Sequence, residues 1–453
     1  MDTLESSLSR IAAALKTADT TRYLHMGAGL ISHIADFFQE SFGDQPAVII
    51  ADINTYKAAG GAVQEHLHNS QLAVLDPFIF DESDFYAEYR HVQQLQAFLS
   101  ANEAVPIAVG SGTINDLTKL AAFLCQRQYL AFATAASMDG YAAYGASISQ
   151  EGFKQTFFCP APKTVVVDLE VIAAAPVELN AAGYGDLMAK MPAGADWLVA
   201  DALGLDPIDK AAWHMVQTPL RSWLADPDGV RQGHLTALTG LMEGLLMSGL
   251  AMQKTQSSRT ASGAEHQFSH LWDNQHLRHN GSIPFHGFKV AIGSLAVTAL
   301  YQRLLQMSAG NLNHAAKQVA DYWPEWQEIE KVIVRDFPDP KIAGLILEES
   351  RAKYQPAAKI SERLERLADV WPDLQPRLQE QLSPAAELRR WLKQAGAPTH
   401  PEEIGVSLNR LQSSYRQAQL IRRRYTVLDL MLELDAWTSA LHALFAQDGF
   451  WRG

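Results

Sequence analysis

The sequence predicts an α/β nucleotide-binding domain with a mostly parallel sheet, followed by an all-α domain. Apolar runs of strand length alternate with helical stretches over residues 1–169, which is typical of a parallel sheet covered by helices on both faces. Over residues 170–453 the strand signals end, and helical periodicity continues with interruptions at Pro and Gly. We therefore expect two domains, 1–169 and 170–453.

The predicted strands are short apolar runs, and the predicted helices have apolar residues every three or four positions. The strands are residues 47–51, 71–75, 105–109, 129–133 and 164–168. The helices of the first half are residues 57–67, 86–99 and 117–125. Those of the second half are residues 212–224, 235–254, 290–307, 360–370, 408–420 and 426–444. Residues 323–397, rich in charges, Pro and Trp, predict amphipathic helices on the periphery.

Charge and cysteine content exclude several classes of protein. A net charge of −13 argues against a nucleic-acid partner or an anionic membrane surface. Two cysteines, Cys125 and Cys159, are too few for a disulfide framework and lack metal-ligand spacing. The N-terminal residues include acids and no long apolar run, so we expect neither a signal nor a transit peptide, and a cytoplasmic location.

The stretch 235–252 is apolar enough to suggest a membrane helix, and Gly240 and Gly244 have the spacing of a membrane helix pair. Glu243 interrupts it, and the flanking residues that anchor membrane spans are missing. We predict a buried helix of the second domain and no membrane insertion.

Asp186, His266 and His286 lie in three local contexts that together predict one mononuclear metal site. One carboxylate and two imidazoles can hold a Zn²⁺-like ion and leave coordination positions open for a substrate oxygen. His270 follows His266 by four residues and therefore shares its helix face, where it can meet what the metal binds. Any one of these side chains alone would more often be a buried polar group or a cap, so the prediction depends on the surrounding motifs.

A glycine turn between a strand and a helix predicts a phosphate-binding site for a nucleotide. The strand 105–109 leads into Gly110–Asp116 and a helix, so the backbone can approach a pyrophosphate at the helix N-terminus. Asp116 stands where the dinucleotide fingerprint has its third glycine, so the motif is not G-x-G-x-x-G. Asp52, at the end of the strand 47–51, can bind an adenosine ribose hydroxyl and repel a 2′-phosphate, which favours NAD over NADP.

Five motifs, in order along almost the whole chain, carry a specific resemblance. They are Gly110–Asp116, Thr134–Ala142, Gly183–Asp186, Ser262–His270 and Arg422–Leu430. Together they resemble the sn-glycerol-1-phosphate dehydrogenase family, which is related to the metal-dependent glycerol dehydrogenases and dehydroquinate synthase. The resemblance implies a dehydroquinate synthase-like fold, NAD as cofactor, one divalent metal ion, and interconversion of dihydroxyacetone phosphate and sn-glycerol 1-phosphate.

The resemblance also implies a role for individual residues. The implied NAD contacts are Asp52, Gly110, Gly112, Thr113, Ile114, Asn115, Asp116, Thr134, Ala135, Ala136 and Ser137. The implied metal ligands are Asp186, His266 and His286. Asp139, Asp186 and His270 would contact the substrate as the catalytic residues, with Asp139 holding a hydroxyl and His270 relaying a proton. We expect a homodimer that acts on a small polyol phosphate.

This chain departs from the family at three positions near the implied site. The family usually has Pro where this chain has Ala136, Ser where it has Ala143, and a charged or polar residue where Phe288 stands. Because these positions are expected to line the nicotinamide and substrate region, they bear on substrate identity more than on reaction type.

Binding of the phosphate group of the substrate requires a cation near the implied metal ligands. Arg259 lies seven residues before His266, two helical turns away on roughly the same face, and Lys289 follows His286 closely. The spacing of Arg259 resembles that of an arginine that meets the substrate phosphate in dehydroquinate synthase. We predict that Arg259 binds the phosphate.

Three functions remain open from the sequence. The first is the polyol-phosphate dehydrogenase, and the second is a metal-dependent dehydrogenase of an unphosphorylated polyol or alcohol, which the three departures allow. The third is a dehydroquinate synthase-like lyase, a family that tends to have Glu where this chain has Asp186. A non-catalytic nucleotide-binding protein is least favoured, because an open metal triad would have no purpose in it. The ligand set suits Zn²⁺, Ni²⁺ and Fe²⁺ alike.

Overall fold

The computed structural model describes residues 4–82 and 85–453. Its first part is built on a six-stranded sheet. The strands of this sheet are β1 Tyr23–Gly27, β2 Ala47–Asp52, β3 Phe78–Phe80, β4 Val105–Gly110, β5 Leu130–Ala133 and β8 Thr164–Asp168. All pairs of neighbouring strands are parallel, and their order in the sheet is β1-β8-β5-β4-β2-β3. The remaining two strands, β6 Ala146–Gln150 and β7 Phe153–Phe157, form an antiparallel hairpin.

Helices cover both faces of the sheet. The α-helices of this part are α1 Leu4–Leu15, α2 Ile34–Phe42, α3 Ile53–Thr55, α4 Gly61–Asn69, α5 Tyr89–Ser100, α6 Gly112–Leu124 and α7 Leu169–Ala174, with a π-helical turn Tyr56–Gly60 before α4. Along β2, Val48 and Ile50 pack with residues of α5 and α6, whereas Ile49 packs with Phe38 and Val63 on the opposite face. Burial on both faces explains why this strand is an unbroken apolar run.

After β8 the described chain contains helices and no strand. Its α-helices up to residue 304 are α8 Val177–Met188, α9 Lys190–Ala202, α10 Lys210–Val216, α11 Leu220–Trp223, α12 Pro227–Gln232, α13 Leu235–Thr255, α14 Ala264–Asn274 and α15 His286–Leu304. The later ones are α16 Ala309–Tyr322, α17 Trp326–Asp336, α18 Pro340–Lys353, α19 Ala357–Gln381, α20 Ala385–Ala395, α21 Leu408–Leu420, α22 Val427–Glu433 and α23 Trp437–Phe445. The predicted fold class is therefore confirmed, and the boundary at 169/170 stays a prediction.

Some predicted elements differ from the structure. Residues 71–75 were expected to form a strand, but Gln71 has a φ of 66° and Val74 makes only an isolated bridge to Ala47. The expected helix 426–444 is two helices, α22 and α23, because Asp435 adopts a left-handed φ of 49° between them. The expected helix 212–224 is likewise divided between α10 and α11.

The apolar helix α13 is the one described helix long and apolar enough to cross a membrane by length and composition, and 83% of its most apolar window is buried inside the structure. Glu243 within it is fully buried and accepts hydrogen bonds from Ser7 (2.7 Å) and Arg10 (2.5 and 2.7 Å) of α1. The prediction of a buried core helix is confirmed, and its acid is neutralised by the N-terminal helix.

Candidate active site

Asp186, His266 and His286 come together although 100 residues separate the first from the last. Asp186 lies on α8, His266 on α14, and His286 is the first residue of α15. One possible ligand atom from each side chain lies within 4.8 Å of the other two. A buried carboxylate and two imidazoles in this arrangement fit a divalent transition metal ion that keeps open coordination positions.

Close contacts between helix backbones bring these ligands together. A Cβ atom on Gly287 would overlap the carbonyl group of Ala182, so α15 can touch α8 only with glycine at this position. A Cβ atom on Gly293 would overlap the carbonyl oxygen of Glu265 on α14 in the same way. Gly287 and Gly293 therefore allow α15, which carries His286, to pack closely against α8, which carries Asp186, and α14, which carries His266.

Hydrogen bonds orient the two imidazole ligands. Nδ1 of His266 lies 2.8 Å from Oε1 of Glu265, which also accepts a bond from the Gly263 amide (2.6 Å). This leaves Nε2 of His266 facing Asp186, 3.5 Å from its Oδ1. Nδ1 of His286 is 3.3 Å from the Ser269 hydroxyl. Burial lowers the pKa of His286 to about 3, so its ring is neutral at pH 7, as a metal ligand must be.

Lys190 joins the carboxylate of Asp186, a predicted metal ligand, to that of Asp139, a predicted substrate ligand. Its Nζ lies 2.8 Å from Oδ1 of Asp186 and 2.8 Å from Oδ2 of Asp139. Oδ2 of Asp139 also accepts a bond from Ser248 (2.8 Å), and its amide donates to Oδ2 of Asp186 (3.0 Å). Burial opposes ionisation of Asp186, but Lys190 and then the two histidines hold its pKa below the ordinary value. The sequence motifs did not single out Lys190, although its position four residues after Asp186 was a usable signal.

His270 lies one helical turn beyond His266, as predicted. Its ring centroid is 6.4 Å from those of both His266 and His286. Nδ1 of His270 is buried and has no hydrogen-bond partner among the described residues. Burial and the nearby charge of Arg422 hold the pKa of His270 well below its ordinary value, so the ring is neutral at pH 7.

The predicted nucleotide residues lie at the carboxyl edge of the parallel sheet, where such sheets bind ligands. Helix α6 begins at Gly112. The side chain of its N-cap residue, Ser111, makes no hydrogen bond to the first amide groups of the helix. A Cβ atom on Gly110 would overlap Ile114, which explains why the turn requires glycine there. Asp52 ends β2, and its Oδ1 caps α3 by accepting from the amides of residues 54 and 55.

The side chains of Asn115 and Asp116 bind the segment that follows β5. Asn115 donates to the Gly140 carbonyl (3.2 Å), and Asp116 accepts from the Ser147 amide (3.0 Å). Lys119 adds bonds to three carbonyl groups of the same loop, those of residues 140, 143 and 145. These side chains hold the loop that carries Asp139, and the implied nucleotide contacts at 115 and 116 stay a prediction.

The segment Thr134–Ser137 is packed against α8. A Cβ atom on Gly183 would overlap the Ala136 carbonyl, and the Ala136 amide donates to Asn180 (3.0 Å). The departure from Pro therefore adds a hydrogen bond that proline could not make. Ala143 packs in a small buried cluster with residues 252 and 261, and the ring of Phe288 makes an edge-to-face contact with that of Phe285.

The helical placement of Arg259 was wrong. Arg259 lies in a 3-10 turn, Ser258–Thr260, and α14 begins only at Ala264, so the two-turn spacing from His266 does not exist. Its guanidinium is buried and donates to the carbonyls of Asp196 (2.8 Å) and Tyr425 (3.1 Å), and its Nε is 3.2 Å from Asp206. Lys289, the other candidate, forms an ion pair with Asp273. Both cations are therefore engaged in contacts within the protein.

A cleft of about 800 Å³ opens beside His266 and His270. Its wall includes residues from the hairpin, from α18 and from the segment between α21 and α22. That last segment carries Arg422, Arg423 and Arg424.

Comparisons with known proteins identify the family of this chain. Residues 25–176 match the family model for iron-containing alcohol dehydrogenase. The chain is 28% identical over 407 residues to a glycerol-1-phosphate dehydrogenase (NAD(P)+) of Halalkalibacterium halodurans, which covers 89% of this chain and 90% of that protein. It is 30% identical over 282 residues to the enzyme of the same name from Pyrococcus abyssi, which covers 62% of this chain and 78% of that protein.

The fold is also that of a solved dehydrogenase. The crystal structure of glycerol dehydrogenase from Schizosaccharomyces pombe superposes with a TM-score of 0.52 at 17% identity, over 84% of this chain and 92% of that one. Fold and sequence lead to one conclusion: this chain belongs to the glycerol-1-phosphate dehydrogenase family of the iron-containing alcohol dehydrogenases.

Proposed function

We propose that the protein is an NAD(P)- and metal-dependent dehydrogenase that interconverts dihydroxyacetone phosphate and sn-glycerol 1-phosphate. The observation that carries this proposal is the convergence of Asp186, His266 and His286 at the side of the nucleotide-binding sheet where ligands bind. Relatives over nearly the whole chain are named for this reaction.

Asp186, His266 and His286 would hold one divalent ion. When bound, this ion would supply Lewis-acid polarisation of the oxygen on the carbon that gains or loses hydride. The protein prepares the ligands beforehand, because Glu265 fixes the ring of His266 and Lys190 stabilises the ionised form of Asp186. The donor set accepts Zn²⁺, Ni²⁺ or Fe²⁺.

The nucleotide would lie along the carboxyl edge of the sheet. The backbone amides at the start of α6, in Gly112, Thr113 and Ile114, suit the pyrophosphate, and the turn at Gly110 makes them accessible. The segment Thr134–Ser137 would line the nicotinamide end. Oδ1 of Asp52 is held by two amides, which leaves Oδ2 for a ribose hydroxyl, and we propose that this favours NAD over NADP.

Asp139 and His270 would handle the hydroxyl groups of the substrate. Oδ2 of Asp139 is bound by Lys190 and Ser248, while its Oδ1 has no hydrogen bond within the described part of the chain, so it can accept a bond from a substrate hydroxyl. In the oxidative direction, hydride leaves C2 for the nicotinamide and the hydroxyl proton leaves the oxygen. The neutral ring of His270 can accept that proton and pass it to solvent.

The test is NADH oxidation by the purified, metal-loaded protein with dihydroxyacetone phosphate, dihydroxyacetone and glyceraldehyde 3-phosphate side by side. We expect turnover with dihydroxyacetone phosphate and a product that is the 1-phosphate enantiomer in a stereospecific assay. Equal turnover of dihydroxyacetone would favour the unphosphorylated polyol instead. Absence of net NADH oxidation with all three compounds would contradict the proposal.

A further inference from the structure

Arg422 and Arg424 are two cations of the cleft that form no close ion pair with a carboxylate of the described chain. Glu349 attracts Arg422, and Asp206 and Glu265 attract Arg424, only from a greater distance. Arg424 donates to the Ser262 carbonyl and hydroxyl (both 2.6 Å) and to the Ser258 hydroxyl (2.7 Å), all of them uncharged. The side chain of Arg422 makes no hydrogen bond and no ion pair to any residue that the structure describes. Both arginines therefore carry a positive charge into the cleft that no carboxylate within 4 Å balances.

Other cations of the same cleft are balanced. Arg423 pairs with Glu349 (2.5 Å) and lies 3.3 Å from Glu348. Arg363 likewise forms an ion pair with Glu433, and Lys353 forms one with Asp429 at 2.7 Å. The remaining acid of the cleft wall, Asp206, pairs with Arg259. The acids of this wall thus form their close ion pairs with cations other than Arg422 and Arg424.

Partial burial makes the two charges costly, because neither guanidinium has a carboxylate in contact. Burial lowers the pKa of Arg424 to about 10 and lowers that of Arg422, yet both stay protonated at pH 7. A guanidinium that is partly removed from water without a carboxylate in contact is destabilising, and a bound anion would offset this cost. Arginine also suits the oxygens of a phosphate group, because its donors form a planar fork.

Gln267 gives an independent sign of a missing ligand. Its side chain is buried and lines the cleft with the two arginines, between His266 and His270 in sequence. Neither its Nε2 nor its Oε1 has a hydrogen-bond partner among the described residues. Buried side-chain amides are normally bonded, so this group is placed to bond a ligand.

We infer that Arg422, Arg424 and Gln267 form the binding site for the phosphate group of a phosphate-monoester substrate. Ser258 and Ser262 hold Arg424 in place from the other side. Because His270 lines the same cleft as these three residues, the site adjoins the group proposed to handle the substrate hydroxyl. This inference rests on the proposed function, and it replaces Arg259 as the phosphate anchor.

The test is Arg422→Met, which keeps much of the apolar stem and removes the charge. Loss of a charge-assisted bond should raise the KM for dihydroxyacetone phosphate about 10- to 100-fold and lower the preference over dihydroxyacetone by a similar factor. Inorganic phosphate should inhibit the wild type competitively against dihydroxyacetone phosphate, and its inhibition constant should rise with the same substitution. Gln267→Met should move both quantities in the same direction, and Arg422→Lys should recover part of the loss.

Arg423→Met is the matched control. Arg423 is adjacent in sequence and carries the same charge, but Glu348 and Glu349 bind it and its side chain is 55% exposed. Its substitution should leave the KM and the inhibition by phosphate unchanged. Retention of metal and of the far-UV circular dichroism spectrum in all variants would show that the fold persists.

The outcomes separate the inference from the proposed function. If the wild type prefers dihydroxyacetone phosphate and Arg422→Met changes neither the KM nor the inhibition by phosphate, the site is wrong and the function stands. If the wild type shows no such preference while phosphate still inhibits it in a manner that depends on Arg422, the function is wrong and the anion site stands.

Discussion

Two adjacent residues of α14 show how the two sides of the active site differ. His266 faces the metal side, where Glu265 and Asp186 bind its two nitrogens. Gln267 faces the cleft, and neither of its polar side-chain atoms has a partner in the described structure. The metal side is thus prepared by internal bonds, whereas the cleft side keeps its donors for a ligand. The fold therefore holds the predicted metal ligands in place, whereas Gln267, which is available to recognise a substrate, has no partner among the described residues.

The largest effect should follow from removal of a ligand on the metal side. His266→Ala or His286→Ala should abolish both metal binding and turnover, since one carboxylate and one imidazole cannot complete the site. Elemental analysis, activity and circular dichroism measure the three consequences. The exposed His314 on α16 gives the control His314→Ala, which should retain metal. Full metal occupancy in His266→Ala would show that the ligand assignment is wrong.

Lys190→Met should destabilise the metal-free protein strongly. The substitution leaves the carboxylates of Asp139 and Asp186 without their buried partner, which costs about 3–5 kcal/mol. Because a divalent ion would neutralise Asp186, the loss should be smaller in the metal-loaded protein. Thermal denaturation with metal and with chelator measures both. As a control, Lys331→Met breaks only an exposed pair with Glu328 and should change stability by about 0.5 kcal/mol or less. A metal-free protein of unchanged stability would contradict this role for Lys190.

Glu265→Gln tests the preparation of His266. Replacing the carboxylate that orients a ligating imidazole should weaken metal binding about 10- to 100-fold. Competition with a chelator of known affinity measures this without any need for activity. Glu328→Gln, on an exposed helix face, should leave metal affinity unaltered. An affinity equal to that of the wild type in Glu265→Gln would mean that the bond to Glu265 does not prepare the ligand.

The smallest effect should come from the nucleotide end. Asp52→Ser keeps a residue that can cap α3 but removes the charge, so the preference for NADH over NADPH should fall by about tenfold. The ratio of kcat/KM for the two cofactors measures this preference. Asp36→Ser, at an exposed position on α2, should not alter it. A wild type that uses both cofactors equally well would remove the proposed role of Asp52.

Sequence reasoning succeeded where the signal was local. The apolar run at β2 and the periodicity of α13 and α21 predicted those elements closely, because burial on one or two faces determines which residues they contain. The breaks were less predictable. A left-handed Asp435 divides one expected helix, and residues 71–75 are apolar without being paired along a neighbouring strand. Such breaks depend on the tertiary contacts of a segment, which its amino-acid composition does not predict.

The residue types and their order along the chain were sufficient to predict the fold class and the ligand set of Asp186, His266 and His286. Coordination chemistry limits which side chains can form such a site, so their identity is informative before any distance is known. Only the tertiary structure decided which arginine is available for an anion. Arg259 and Arg422 carry the same guanidinium, but the first is bound by carbonyls and an acid, whereas the second makes no hydrogen bond and no close ion pair in the described structure. Long-range packing assigns those partners, because charge at a buried site has to be balanced by whatever the fold places beside it.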